Sequence, residues 1–339
     1  MACRNLRKNK IKGESCLKKI AALLIAVFVF AVAATGCGKP TKTETESTKN
    51  QPLKIGVLSI EDNLPFYVAE AENMFTKADL KVDLVPFPSA AERDAALHAG
   101  QIDGEAADIV AACFLKKGGA DVRISSITLG VTPQEGRFVL LGSPNSNFKN
   151  AKDLANVKIA VSENTIIEYV TDTLLTKQGL KKEEIQKISI PKIPIRVQML
   201  TSNQVRAALL PDPMASLAEQ QGAKVILDDT KSEINISQVV LLFRKDSIDQ
   251  KRDSIKQLIK LYDQAGRRLT ADPAKYRPLL IEKAKIPPQI KDTYKSPSFS
   301  PPQYPTEQDV TNVVSWMVDK KLLEKPYGYD ELVDKTLIQ

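Results

Sequence analysis

The 339-residue chain carries 48 Lys and Arg against 41 Asp and Glu, one histidine, four cysteines and 43% hydrophobic residues, a composition that folds as one large domain or two medium ones. Its +7 charge is concentrated before residue 37, where Arg4, Arg7, Lys8, Lys10, Lys12, Lys18 and Lys19 face one acid, Glu14; the remainder has 41 basic and 40 acidic residues, which excludes nucleic-acid binding by global electrostatics. A single histidine, His98, with no G-x-x-x-x-G-K-[ST] and no H-E-x-x-H, excludes most hydrolase, metalloprotease and Ser-His-Asp chemistry.

The first element in chain order is a leader. Ile20 to Ala34 is an uninterrupted apolar run of 15 residues between the basic stretch and Thr35-Gly36-Cys37, the pattern of a secretory signal over residues 1–36. As a helix it reaches about 22 Å, short of a hydrocarbon core about 30 Å thick, so it reads as a signal peptide rather than a permanent span. Ala34-Thr35-Gly36-Cys37 resembles a bacterial lipobox, in which the cysteine is acylated through sulfur and becomes the new N-terminus. Gly38 to Gln51, GKPTKTETESTKNQ, holds no large apolar residue; extended, it spans about 48 Å and reads as a tether between a lipidated Cys37 and a folded body. Cys3 and Cys16 belong to the leader, which leaves Cys37 and Cys113 and neither a disulfide framework nor a zinc cluster.

From residue 52 strand and helix alternate. Leu53–Leu58, Val82–Phe87, Val122–Leu129, Arg137–Leu141, Val157–Val161, Arg206–Leu210, Lys224–Leu227 and Val239–Arg244 read as strands. Between them Leu64–Phe75, Ala90–Ala99 stopped by Gly100, Thr165–Gln178 stopped by Gly179 and Met214–Gln221 stopped by Gly222 read as helices. The succession predicts βαβ units in an α/β fold rich in parallel pairing. Ile255, Leu258, Ile259, Tyr262 and Leu269 fall on one face of a long helix. Six prolines between Pro287 and Pro305 precede a last helix near Thr306–Lys320.

Three stretches, Leu64-Pro-Phe-Tyr-Val-Ala-Glu-Ala-Glu-Asn-Met-Phe75, Ser89–Gly104 (SAAERDAALHAGQIDG) and Leu209-Leu-Pro-Asp-Pro-Met-Ala-Ser-Leu-Ala218, in that order behind the lipobox, resemble the type II periplasmic solute-binding proteins. The branch is the one serving ABC importers of nitrate, taurine, aliphatic sulfonates and thiamine-pyrimidine precursors. The resemblance covers the mature chain, with Asp212 standing where relatives often have Glu. It implies a two-lobed fold joined by two crossings, near Leu141–Asn156 and Asp229–Arg244, with 52–145 and 245–339 as lobe 1 and 146–244 as lobe 2. It further implies a monomeric receptor without a cofactor, held to the membrane by its lipid and delivering a small polar solute to separate permease and ATPase subunits. A lipoprotein sensor or scaffold, and an enzyme on the same fold, are the alternatives; a pyrimidine synthase of that fold needs a donor histidine and a cysteine cluster missing here.

In such a fold ligands sit at the carboxyl ends of strands. Ser59, Glu61 and Asn63 after the first strand, then Phe66 and Tyr67, are candidates, against core packing for the two aromatics and an N-cap role for Asn63. Phe87 and Ser89 follow the second strand, Ser89 also being suited to a capping box with Glu92. Asp103, Glu105 and Asp108 form an acidic loop-like cluster suited to amine or amide donors, with Asp108 equally a helix cap. Ser162, Asn164 and Thr165 open a helix and offer an anion site. Arg137 and Arg196 carry guanidinium groups that match sulfonate or carboxylate oxygens, against roles in ion pairs. Asp212 lies between two prolines. His98 reads as a helix-end residue and Cys113 as buried and inert. Changing Cys37→Ser should release the protein from the membrane fraction or leave it unprocessed; processing and retention identical to the parent's would refute the anchor.

Overall fold

A computed structural model describes residues 51–233 and 235–338; the leader, the lipobox cysteine and the tether up to residue 50 lie outside the described residues. In chain order the main elements are β1 (Leu53–Val57), α1 (Leu64–Ala71), α2 (Met74–Lys77), β2 (Val82–Pro86), α3 (Ala90–His98), β3 (Gly104–Ala107), α4 (Ile109–Lys117), β4 (Val122–Leu129), β5 (Phe138–Gly142) and β6 (Lys158–Val161). They continue with α5 (Ile166–Lys177), β7 (Gln186–Ser189), α6 (Ile193–Thr201), β8 (Ala207–Pro211), α7 (Met214–Gln220), β9 (Lys224–Asp228), β10 (Val239–Arg244), α8 (Lys245–Ala271), α9 (Arg277–Lys283), α10 (Glu307–Asp319) and α11 (Tyr329–Leu332).

The strands form two five-stranded sheets, ordered β2-β1-β3-β10-β4 and β7-β6-β8-β5-β9. Each sheet is mixed. In the first, β1 pairs in parallel with β2 and β3, and β10 is inserted antiparallel between β3 and β4. In the second, β6 pairs in parallel with β7 and β8, and β5 is the reversed strand between β8 and β9.

This topology moves both expected lobe boundaries. β5 belongs to the second sheet although it precedes residue 145, and β10 belongs to the first although it precedes residue 245. The chain therefore changes sheets within 130–137 and 229–238, and in both cases the first strand after the change enters its new sheet reversed. Leu141–Asn156, the expected first crossing, instead lies inside the second lobe, from the end of β5 to just before β6, and its loop folds back on itself as Ser146 donates its N–H to the Ser143 carbonyl at 2.9 Å. Local propensity marks both segments as strand or loop, but pairing partners decide the sheet.

Elsewhere the difference is local. The expected helix Leu64–Phe75 divides into α1 and α2 at Asn73, whose φ of 55° is left-handed and cannot continue a right-handed helix. β3 lies inside the acidic stretch read as a loop, because Gly104 and Ala106–Ala107 let the backbone run between β1 and β10.

The helices cover the sheets through apolar faces. Ile255, Leu258, Ile259, Tyr262 and Leu269 of α8 are buried against α1, and Phe66 meets Tyr262 edge-on with ring centroids 4.7 Å apart. Cys113 sits fully buried in α4, and burial pushes its thiol up to about 12. The Nε2 of His98, at the end of α3, donates to the Gly118 carbonyl at 3.0 Å.

The next-to-last helix contacts both lobes: α10 packs Val310, Val313, Val314 and Met317 into the core around α4. Its Trp316 Nε1 donates to Asp172 of α5 at 3.0 Å, and Lys320 just beyond it pairs with Glu168 at 2.6 Å.

The hydroxyl of Tyr262 donates to the Asp62 carbonyl at 2.7 Å, with the Thr128 carbonyl at 3.1 Å, so one buried phenol ties α8 to the cleft-side turn after β1 and to the end of β4. Tyr262→Phe should lower unfolding free energy by about 1–3 kcal/mol, the cost of buried carbonyls losing their donor, at an unchanged dependence on urea; a value within error of the parent would remove this role.

Candidate functional site

The carboxyl ends of β1, β2 and β3 in one lobe and of β6 and β8 in the other open onto one cavity of about 580 Å³. Parallel strands place the loop after each strand, and the N-terminus of the next helix, on the same edge of the sheet. That is why Ser59, Phe87, Ser89 and Asp108 line it from the first lobe and Ser162 and Thr165 from the second. Much of the remaining wall is apolar: Leu58, Ile60, Pro86, Phe138, Ile166, Pro194 and Met214 all contribute.

On the first-lobe side three ionisable groups, Asp62, Arg93 and Asp108, are buried in the wall. Asp108 caps α4 by accepting the Ala111 N–H at 2.8 Å; burial pushes its carboxyl up to about 6 against that hydrogen bond and the Arg93 charge. Asp62, 3% exposed, is pushed up to about 7 by burial, with Arg93 pulling the other way. Arg93 enters the same wall from α3, donating from Nη1 to the Ala106 carbonyl at 2.6 Å and from Nη2 to Asp94 at 2.7 Å. Its Nε lies 3.4 Å from Oε2 of Glu105. Burial opposes the Arg93 cation, but Asp94, Glu105 and Asp108 together outweigh it and hold its pKa above the ordinary value. Ser89 caps α3, accepting the Glu92 N–H at 3.3 Å and donating to the Glu92 carboxylate at 3.1 Å.

On the second-lobe side the groups are mostly neutral. Thr165 caps α5, accepting the Ile167 N–H at 3.2 Å while donating to the Ser162 carbonyl at 2.7 Å. Ser162 donates to the Pro191 carbonyl at 3.2 Å and accepts a hydrogen bond from Nη1 of Arg196 at 2.7 Å. Among the described residues no group of three or more His, Cys, Asp or Glu is arranged to hold a metal ion.

Several expected residues lie away from the cavity wall. Phe66 and Tyr67 are buried in the core under α8. Asn63 is fully buried, its Nδ2 donating to the Leu58 carbonyl and to Asp62 rather than capping α1. Asp103 precedes β3 and so falls at the opposite end of the sheet, where it binds the Lys54 N–H, Ser247 and Lys251. Glu105, inside that strand, is wholly buried beneath the wall, with burial pushing its carboxyl well up. The acidic cluster is thus dispersed by β3, and only Asp108 reaches the cleft.

Glu61 turns toward the C-terminal segment and accepts the Tyr294 hydroxyl; burial, then Asp212, raises its pKa. Asn164 takes a left-handed φ of 60° and donates its N–H to Glu168 at 2.7 Å. Arg137 is spent on carboxylates, Asp228 at 2.8 Å, Glu219 at 2.7 Å and Asp212 at 3.7 Å, so it is a brace at the first crossing. Asp212, just before α7, accepts hydrogen bonds from the N–H and hydroxyl of Ser216 in the helix's first turn.

Conversely, Asp62, Arg93, Glu163, Gln238 and Lys285 line the cavity without having been expected there. Arg93 had a signal: it stands three and four residues before Ala96 and Leu97, on the buried face of α3, where a cation requires a buried counter-charge. Lys285 had none, since it arrives from the end of α9 near the other terminus.

The sequence profile of the NMT1-like family matches residues 46–280. A protein of Brachyspira hyodysenteriae whose name assigns it to ABC transporter periplasmic binding proteins is 23% identical over 272 residues, 76% of this chain and 75% of its own length. The alkanesulfonate-binding protein SsuA of Xanthomonas axonopodis pv. citri, bound to MOPS, superposes with a TM-score of 0.71 at 19% identity, covering 83% of this chain and 97% of that one. The periplasmic aliphatic sulphonate binding protein SsuA of Escherichia coli gives 0.69 at 20% identity, with 85% and 98% covered.

Asp62 supplies a pH test. Its folded pKa is raised, so its contribution to stability is complete below the ordinary carboxylate value of about 3.9 and is lost as pH rises to about 7. Asp62→Asn removes that loss while keeping an oxygen to accept from Asn63. The variant's melting temperature minus the parent's should therefore climb between pH 4 and 7 and level off above; a difference independent of pH would contradict the assignment.

Proposed function

The chain belongs to the NMT1-like family, and on that premise we propose that it is the extracytoplasmic substrate-binding protein of an ABC importer, closing two lobes over a small organic solute. The observation that carries this reading is a cavity of about 580 Å³ bounded by strand ends of both sheets. Its volume falls in the range of small-molecule sites, and apolar walls with a few convergent polar groups are the usual make-up of such sites. Among sulfonates, taurine-like zwitterions, nitrate and thiamine-pyrimidine precursors, the walls favour a solute with a carbon body, since Phe87, Phe138 and Met214 offer surface that a bare inorganic ion cannot cover.

Delivery requires partners. The chain holds no phosphate-binding loop, and among the described residues no helix is long and apolar enough to cross a membrane; the permease and the ATPase are separate subunits in this reading. Cys37, outside the described residues, is the proposed acyl anchor, and the polar stretch after it the tether that gives the receptor reach. The receptor acts as a monomer, each molecule holding its own cleft.

The test is a thermal-shift screen of the mature chain against sulfonates, taurine, nitrate and aminopyrimidines. One-site binding at 100 times Kd stabilises the folded form by about 2.7 kcal/mol. Lobes joined by two crossings have rotation as their soft coordinate, so small-angle scattering should report a smaller radius of gyration when the best solute saturates the protein. No stabilisation by any solute, or binding at saturation with no compaction, would count against the reading.

A further inference from the structure

Arg196 is the most unusual charge in the second lobe. It projects from α6 and is 0% exposed. Its Nη1 donates to the Ser162 hydroxyl at 2.7 Å and to the Ile190 carbonyl at 2.9 Å. Its Nε and Nη2 have no hydrogen-bond partner, and among the described residues no carboxylate forms an ion pair with it or shifts its titration. Burial lowers its pKa to about 9, which leaves it a cation at neutral pH. The contrast with the other buried guanidinium is informative: Arg93 is flanked by Asp94 and Glu105. A buried cation without a counter-ion is among the costliest arrangements a fold can keep, and this one stands one hydroxyl behind the cavity wall.

That hydroxyl is set up by its neighbours. Because Ser162 Oγ already accepts from Arg196, the hydrogen it carries is its free resource, now given over 3.2 Å to the Pro191 carbonyl. Thr165 is committed in both directions, to Ser162's carbonyl and to the Ile167 N–H. Ser162 is therefore the lining hydroxyl of this wall that can turn its O–H to a solute at the loss of only a long hydrogen bond. Polarisation by the guanidinium strengthens it as a donor, and the N-terminus of the 12-residue helix α5 adds to the same sign of potential. Glu163 lines the same wall but is exposed, where water screens its charge.

We propose that Arg196 is a positioning residue that acts through Ser162 to make the second-lobe wall select the anionic group of the solute, a sulfonate or carboxylate whose carbon body lies along Phe87, Phe138 and Met214. Arg196 does not touch the solute; its charge is the missing counter-ion of the group that Ser162 receives. This rests on the receptor reading and goes beyond it in naming the wall, the residue pair and the charge that is chosen.

The test compares benzenesulfonate with its uncharged counterpart benzenesulfonamide and with benzylamine, by calorimetry on the mature parent and on Ser162→Ala, Arg196→Gln and Arg196→Lys. The parent should bind the sulfonate at least tenfold more tightly than the sulfonamide. Ser162→Ala should cut that ratio by roughly tenfold, Arg196→Gln should bring it near one, and Arg196→Lys, which keeps the charge, should recover part of it. A purely structural Arg196 would change melting temperature without moving the ratio. If Arg196→Gln fails to fold, Ser162→Ala decides alone, since it removes one hydroxyl at a cavity wall. A ratio indifferent to all three substitutions, or a parent that prefers the sulfonamide or benzylamine, overturns this inference and leaves the receptor standing; a parent that binds none of the three, and no solute of the screen above, overturns both.

Discussion

The two reversed strands are the constraint from which the rest of this structure follows. β10 is the only link between β3 and β4 in the first sheet, and β5 the only link between β8 and β9 in the second. Each is delivered by a segment that has just left the other lobe, so neither sheet is complete without the chain crossing. A sheet interrupted at its middle would expose two unpaired ladders of N–H and C=O groups, which water-poor interiors do not tolerate. The crossings are thus held at both ends by buried ladders, and what lies between them is short.

Short crossings concentrate charge. Arg137 at the end of the first crossing and Asp228–Asp229 at the start of the second converge with Asp212 and Glu219 from the second lobe, while Glu61 approaches from the first. Phe138 donates its N–H to Asp229 at 2.7 Å, stitching the crossings together directly. Burial raises Glu61 and carries Asp229 up to about 7, and lone carboxylates here would be costly; the guanidinium of Arg137 is what makes the cluster tenable. A residue that reads in sequence as an anion receptor is therefore consumed as a structural counter-ion, and α10 adds a third tie between the lobes through Trp316 and Lys320.

The cleft has opposite electrical characters on its two walls. The first lobe presents Asp62 and Asp108, both raised by burial, around an Arg93 already matched with carboxylates. The second presents hydroxyls and a helix N-terminus with the unmatched Arg196 behind them. Buried charges and fixed dipoles of this kind cost stability in themselves and set which charge a wall favours.

The amino-acid sequence by itself determined the alternation of strands and helices, the long apolar face of α8, the helix caps at Ser89 and Asp108 and the placement of Ser59, Phe87, Ser162 and Thr165 after strand ends that open on the cavity. These are legible because periodicity, caps and βα junctions are local, set by residues within one turn or one strand of each other. It did not determine that Asp103 and Asp108, five positions apart, lie at opposite ends of a strand, that Arg137 is absorbed by three acids, or that Lys285 reaches the cleft from near the far terminus. Nor did it show that Arg196 has no counter-ion. Those facts depend on which distant segments pair and on what burial leaves unpaired, and only the tertiary structure decided them, because desolvation and ion pairing act through space and carry no local pattern.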